Sequence, residues 1–372
     1  MRPLTITGGV DADGRPTAVT ITNGTIGGHD DGGQTLDATG LTVVPGFVDI
    51  QINGAFSHDF TADPASLWTV GERLPETGVT AFCPTIITAP DGAIAAAQEA
   101  IRTRPDGYVG AEPLGLHIEG PHLSAERRGT HPASDLRPPS DATFTLDDVA
   151  IVTLAPELPG ALPLIRSLVE QDVVVSIGHS DATAVEARAA LDAGATLGTH
   201  LLNAMPPISA REPGIAGVLL ADPRCRFSMI VDGHHHDPDV IRMTWNAADE
   251  RFVVITDAIA AAGMPDGHYR IGSVGVTVDA GAARNADGRL AGATATMETS
   301  LVNLIEITGT TLASALRSVT STPAAVLGRT DIGGLDHGMR GDVTLLANGS
   351  VAATIVGGNV AFLRDPQRLT PR

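Results

Sequence analysis

The chain is short of aromatic residues and of positive charge, and each shortage narrows what it can be. Phe, Trp and Tyr make up only 3% of 372 residues, so the interior has to be built from Ala, Val, Leu and Ile. Lys and Arg number 24 against 43 Asp and Glu, a formal net charge of −19. That balance argues against nucleic acid and anionic membrane as partners. It leaves a phosphorylated small molecule open, because a few local Arg and His hold a phosphate against an acidic average. No apolar run approaches the ~18 residues of a membrane span, and the opening MRPLTITGGV has no apolar core of a signal peptide. Cysteine is scarce too. Cys83 and Cys225 sit in the apolar runs AFCPT and RCRFSMIV and read as buried free thiols in a reducing compartment. A cytoplasmic protein is expected.

Small turn-forming residues are plentiful, with 42 Gly and 25 Pro, and the 43% hydrophobic and 18% charged content is that of a soluble globular chain. The length suits one large barrel plus a smaller module. Residues 1–44 read as short β segments punctuated by Gly, Asn and Asp. Residues 341–372 read similarly, with a turn at Asn348-Gly349. The two ends are expected to pair into one small β-sandwich domain.

Between them, over 45–340, apolar strands and helical segments alternate. Strands are predicted at Phe47–Ile50, Thr80–Pro84, Gly115–Ile118, Ile151–Leu154, Val173–Ile177, Thr196–Thr199, Phe227–Val231 and Phe252–Ile255. Helices fit at Ser66–Thr77, Ala93–Thr103, Leu162–Gln171, Thr183–Ala193 and Asp237–Ala248, with more helix between Ala295 and Leu327. Eight strands with intervening helices predict an α/β fold, a (β/α)8 TIM-like barrel. Residues 271–292 look like an inserted β-hairpin.

The stretch from Val173 to Pro207 sets the chemistry. A β-branched strand ends at Gly178-His179-Ser180, an Ala-rich helix follows, and a second short strand ends at His200. In a βαβ unit the two strands are parallel, so both histidines emerge on one edge, where they can share a metal ion. Taken alone, the unit is equally compatible with two unrelated loop histidines. Catalytic groups of such barrels lie at the strands' C-terminal ends, and the other ends carry Gln51-Ile52-Asn53, Glu119, Asp232 through His236, and Asp257. Glu119, His179 and His200 form a carboxylate–imidazole set that suits Zn²⁺ and leaves a position open for water. Asp257 is placed to take that water's proton and return it to a leaving amine; its plainer reading is a helix N-cap. Metal-assisted hydrolysis of an amide is the expected reaction class.

Eight motifs in order then resemble the amidohydrolase superfamily and, within it, the family of N-acetylglucosamine-6-phosphate deacetylases. They are VPGFVDIQING (44–54), GLHIEGPHLSAERRGTH (115–131), GHSDAT (178–183), THLLNAMPP (199–207), REPGIAG (211–217), VDGHHH (231–236), ITDA (255–258) and LAGATATM (290–297). The resemblance implies that Glu119, His179 and His200 bind metal and that Asp257 is the acid/base. It also implies substrate contacts at Gly129, Thr130, His131, Asn203, Ala204, Arg211, Asp232, Gly233, His234, His235, Leu290, Ala291 and Gly292. Many amidohydrolases carry His-X-His after the first strand. Here those positions are Gln51 and Asn53, which predicts one divalent ion per subunit, zinc, with Gln51 positioning its water or filling the vacant site.

Arg211 is the phosphate candidate, because a guanidinium binds phosphate bidentately; the alternative is an ion pair with Glu212. His131 either polarises the acetyl carbonyl or contacts the sugar. For His234 or His236 the plainer reading is a solvated side chain; for Arg127 and Arg128 it is an ordinary surface charge, the alternative being a contact across a dimer interface; His117 reads as structural. The implied substrate is N-acetylglucosamine 6-phosphate, deacetylated to glucosamine 6-phosphate and acetate by a homo-oligomer, a dimer or tetramer. The galactosamine epimer is the nearest alternative. A cyclic amidase or aminoacylase would not need Arg211, and a non-catalytic sugar-phosphate-binding barrel would not need the metal set.

Overall fold

A computed structural model describes residues 2–28, 32–90, 92–142 and 145–371. Eight parallel strands run in chain order around a barrel: β1 (Phe47–Ile52), β2 (Val79–Ile87), β3 (Leu116–Glu119), β4 (Val149–Leu154), β5 (Val174–Ile177), β6 (Leu197–Gly198), β7 (Arg226–Ile230) and β8 (Phe252–Ile255). Every residue of β1, β2 and β8 is buried, as parallel strands covered on both faces require. Between β8 and β1 the ring is joined by a parallel bridge, Ile52 to Ala258, and by the Asp257 N–H donating to the Gln51 carbonyl at 2.9 Å.

Helices α1 (Ser66–Arg73), α2 (Ala93–Arg102), α3 (Ala161–Val169), α4 (Ala184–Asp192), α5 (Gly214–Ala221), α6 (Pro238–Ala248) and α7 (Met297–Thr308) follow β1, β2, β4, β5, β6, β7 and β8. Two short helices, α8 (Leu312–Arg317) and α9 (Ser321–Val326), complete the outer layer. α4 begins with a reciprocal cap between Thr183 and Glu186. α5 was not expected. Its sequence, GIAGVLLA, is apolar on nearly all sides and so shows no helical period. Between β3 and β4 the described residues form only short 3₁₀ turns, and that long connection covers the barrel mouth.

β2 is longer than expected and runs through Pro84 to Ile87. β1 shifts register between Asp49 and Ile52 opposite this point, and a proline without an N–H is tolerated at such an irregularity. The strand therefore ends at Ile87, with Thr88 just beyond it, rather than at Pro84.

The termini share one nine-stranded mixed sheet. Val343–Ala347 pairs antiparallel with Thr42–Pro45, and Leu369–Pro371 pairs antiparallel with Gln34–Asp37. Strand Leu4–Val10 pairs with Gln34–Asp37 through its first half and reaches Thr42 only at Val10. The sheet thus folds over a core of its own, which includes Ile6, Leu36, Val43, Leu345 and Ile355. After β8, the insertion is a three-stranded antiparallel sheet, Gly267–Ile271, Val274–Asp279 and Ala282–Asn285.

Candidate active site

The groups expected at the strand ends converge on one cavity of about 400 Å³. Glu119 is the last residue of β3, while His179, His200 and Asp257 each lie two residues beyond β5, β6 and β8. All three of the latter have left-handed backbones, with φ of 48°, 32° and 47°. Such conformations disfavour residues with a Cβ and persist where the surroundings impose them, often at functional sites. The turn out of each strand happens at the functional residue itself.

Glu119 Oε1 lies 3.2 Å from His179 Nε2 and 3.2 Å from His200 Nε2, and the two Nε2 atoms are 2.9 Å apart. For bonds of about 2.0 Å, the ligand atoms of a tetrahedral zinc site sit about 3.3 Å from one another. The protonation pattern agrees. His179 Nδ1 is 2.9 Å from the Arg127 carbonyl, which only accepts, so the proton is on Nδ1 and the Nε2 lone pair faces Glu119 and His200. His200 Nδ1 has no partner among the described residues. A buried carboxylate and two imidazole nitrogens facing one another need a cation between them. Burial alone would raise the Glu119 pKa, but the His179 and His200 rings beside it hold it well below the usual range. The set fits one divalent ion.

A second grouping, Glu119, His131 and His179, also brings its ligand atoms within 4.8 Å of one another. The hydrogen bonds of His131 disfavour it. The Thr88 backbone N–H donates to His131 Nδ1 at 3.3 Å and the Thr88 hydroxyl is 2.8 Å away. Nδ1 is therefore an acceptor and Nε2 carries the proton. That N–H lies 3.8 Å from Glu119 Oε2. Burial, and then the charge of His179, pushes the His131 pKa down to about 3, so the ring stays neutral and presents a donor rather than a lone pair.

Gln51 and Asn53 occupy the side of the site next to β8. Gln51 Nε2 donates to Glu119 Oε1 at 3.0 Å and lies 3.4 Å from Asp257 Oδ1, while Asn53 Nδ2 donates to Asp257 Oδ1 at 2.8 Å. The Asp257 carboxyl is pushed up to about 6, by burial first and then by the charge of Glu119.

The loop after β7 is organised by Asp232. Its Oδ2 is 2.8 Å from His235 Nδ1, and its Oδ1 accepts from the backbone N–H groups of His234 and His235. His236 differs from expectation. It is buried, accepts from Asn203 Nδ2 at 3.0 Å and is pushed down to about 4 by burial, hence neutral. His117 is structural as expected, bonded to the Ile50 carbonyl and the Thr153 hydroxyl.

Of the anticipated substrate positions, Gly129, Thr130, His131, Asn203, Ala204, His235, Leu290 and Gly292 line the cavity, while Arg211, Asp232, Gly233, His234 and Ala291 do not. Arg211 is exposed. Its suggested partner Glu212 is engaged elsewhere, accepting from the Ala184 and Gly214 amides. Arg127 is no ordinary surface charge: it lines the cavity and pairs with Asp181 at 2.7 Å. Sequence reasoning missed Thr88, hidden by the early end expected for β2, and Arg289, which stands beside the LAG motif and lines the same cavity. Asn53 was visible at its strand end, but its partner Asp257 is 204 positions away.

The amidohydrolase family model matches residues 42–361. A Homo sapiens N-acetylglucosamine-6-phosphate deacetylase is 39% identical over 355 residues, covering 90% of this chain and 87% of that protein. An Escherichia coli O157:H7 N-acetylgalactosamine-6-phosphate deacetylase is 38% identical over 82% of this chain and 83% of its own length. Among solved structures, an aspartate-to-alanine variant of Mycobacterium smegmatis N-acetyl-D-glucosamine-6-phosphate deacetylase, in complex with N-acetyl-D-glucosamine-6-phosphate, superposes with a TM-score of 0.85 at 35% identity, over 97% of this chain and 99% of that one.

Proposed function

Because the chain belongs to the amidohydrolase family, we propose that it hydrolyses the acetamide of N-acetyl-D-glucosamine 6-phosphate, giving D-glucosamine 6-phosphate and acetate. The observation that carries the reaction class is the buried Glu119–His179–His200 cluster, with Asp257 facing it in one cavity. The choice of sugar is supported by the relatives named for that substrate.

Glu119, His179 and His200 would hold one divalent ion, zinc, which would supply a water of lowered pKa and Lewis acidity at a carbonyl. Asp257 is largely ionised at neutral pH. It takes the proton of the attacking water and returns it to the nitrogen as the carbon–nitrogen bond breaks. His131, protonated on Nε2, donates to the acetyl oxygen as negative charge develops there. Gln51 spans Glu119 and Asp257 and keeps the two carboxylates in register, while Asn53 fixes which oxygen of Asp257 faces the reaction. Gly129, Thr130, Asn203, Ala204, His235, Leu290 and Gly292 hold the sugar, and Asp232 orients His235. Any contacts made by Arg211, Gly233 and His234 come from outside that wall.

The reading places a homo-oligomer, dimer or tetramer, in the cytoplasm. Two buried free thiols, Cys83 and Cys225, are consistent with a reducing compartment. No helix among the described residues is long and apolar enough to cross a membrane.

The test is acetate release by zinc-loaded protein from N-acetylglucosamine 6-phosphate, N-acetylgalactosamine 6-phosphate and unphosphorylated N-acetylglucosamine. Fastest release from the first is expected. Preference for the second would move the assignment to the epimer, and silence on all three would sink it.

A further inference from the structure

His131 stands apart from Glu119, His179, His200 and Asp257, because no barrel strand delivers it. It lies in the long connection between β3 and β4, where the described residues form only short 3₁₀ turns. Loops place a side chain less accurately than strands do, so a proton donor on such a segment needs an anchor. Arg128 supplies part of it: the His131 N–H donates to the Arg128 carbonyl at 2.9 Å, and the Arg128 guanidinium donates to the His131 carbonyl at 2.8 Å. These bonds hold the main chain and leave the ring to be fixed by something else.

The ring is fixed from β2. Thr88 is the first residue beyond that strand, and Thr88 and His131 are both buried. The Thr88 backbone N–H donates to His131 Nδ1 at 3.3 Å, and Thr88 Oγ1 is 2.8 Å from the same nitrogen. A backbone N–H can only donate, so Nδ1 carries a lone pair and the hydroxyl is a second donor to it. The hydroxyl is itself confined. Thr88 is β-branched and stiff at χ1, and its Oγ1 occupies space that a Cβ at Gly120, the residue after Glu119, would collide with. With the proton on Nδ1 instead, Nε2 would turn a lone pair toward Glu119 and His179, completing the alternative Glu119–His131–His179 grouping. Two donors on Nδ1 oppose that arrangement. They leave the Nε2 proton, 3.8 Å from Glu119 Oε2, as what the ring presents to the cavity.

We infer that Thr88 is a positioning residue for the reaction: its hydroxyl and backbone N–H set the tautomer of His131, so that the ring offers the acetyl oxygen a proton donor and stays out of the metal cluster. This rests on the deacetylase reading above. Thr88 touches no reacting atom and acts only through His131. Negative charge grows on the acetyl oxygen as water attacks, so a well-aimed donor stabilises the transition state more than the bound substrate. The hydroxyl that donates to Nδ1 also polarises the ring and strengthens the opposite N–H as a donor. Loss of that hydroxyl should therefore be felt in kcat and leave KM little changed.

The experiment has two arms, both on zinc-loaded protein. Nitrogen-15 NMR of labelled histidine, with His131→Gln to identify the ring's signals, reads the tautomer in wild type and in Thr88→Val. Wild type is expected to carry the His131 proton on Nε2 alone, and Thr88→Val to spread it over both nitrogens. The second arm measures kcat and KM for acetate release from N-acetylglucosamine 6-phosphate. Thr88→Val is expected to lower kcat by about three- to tenfold, the size of one hydrogen bond, with KM within about twofold. Thr88→Ser, which keeps the hydroxyl, should stay within about twofold of wild type. In a His131→Gln background, Thr88→Val should cost less than about twofold, because the two residues act as one unit. A proton on Nδ1 in wild type, an unchanged kcat in Thr88→Val, or an equal fall in both backgrounds overturns the inference. Wild type that releases no acetate overturns the deacetylase reading and the role at the acetyl oxygen, while the nitrogen signals still decide whether Thr88 sets the tautomer, so the two failures separate.

Discussion

Asn53 Nδ2 donates to Asp257 Oδ1 at 2.8 Å across the seam between the first and last barrel strands. The bond favours the charged form of the carboxylate, against the burial that raises its pKa to about 6. Asn53→Ala should therefore raise the Asp257 pKa further. A base that must be ionised loses activity as pH falls through its pKa, so the acid limb of the kcat/KM profile should move to higher pH. The rate at neutral pH should fall as well. Coincident acid limbs in the variant and the wild type would remove Asn53 from this role.

Asp257→Asn keeps the hydrogen-bonding shape but cannot take a proton. Loss of a general acid–base typically costs about 10²- to 10⁴-fold, and a fall of that size in kcat is expected with metal content unchanged. Near-normal turnover would assign the proton transfer elsewhere.

Metal content offers an independent check. With Gln51 and Asn53 where many relatives of this superfamily carry two histidines, zinc-loaded wild type should hold about one tightly bound ion per chain by elemental analysis, and Glu119→Gln and His200→Ala should hold little. Chelation should also lower the melting temperature, since an ion at about 100 times its Kd contributes roughly 2.7 kcal/mol to stability. Two tightly bound ions per chain would contradict the single-site geometry.

Asp49 gives a stability prediction away from the reacting atoms. It is fully buried at the base of the same seam, accepts from the Thr256 hydroxyl at 2.5 Å, and has its pKa raised from 3.8 to about 7, chiefly by burial. Between those values the folded chain holds a proton there that the unfolded chain has lost, so this group's contribution to stability falls as pH rises. Asp49→Asn lacks that slope. Its stability relative to wild type should improve with pH by about 1.4 kcal/mol per unit across the window, read from urea midpoints at pH 5 and 7. Parallel midpoints would show that Asp49 is ionised in the folded protein.

Much of this arrangement was legible in the sequence, for a physical reason. Parallel strands buried on both faces leave uninterrupted apolar runs, and a polar residue at the end of such a run has one place to go, the barrel mouth. Glu119, His179, His200 and Asp257 were found that way. Thr88 was not, because Pro84 reads as a strand terminator unless the irregularity opposite it in β1 is known. α5 was missed because a helix enclosed by its neighbours has no polar face to mark its period. The burial of His236 depends on Asn203, 33 positions earlier, and no local pattern records that contact. Arg211 and Arg289 have the same chemistry in sequence, and only the folded chain places one of them on the cavity wall and the other outside it.

The pairing of Thr42–Pro45 with Val343–Ala347 also bears on how the protein is made. The early strand leaves the ribosome with its permanent neighbour still untranslated. About 300 residues must follow, which at ~5–20 residues per second takes on the order of 15–60 s. During that interval an apolar β edge is open to pairing with other nascent chains. Slow translation, or truncation before residue 343, should therefore show up as aggregation from the amino-terminal segment, even if the barrel strands in between have already associated.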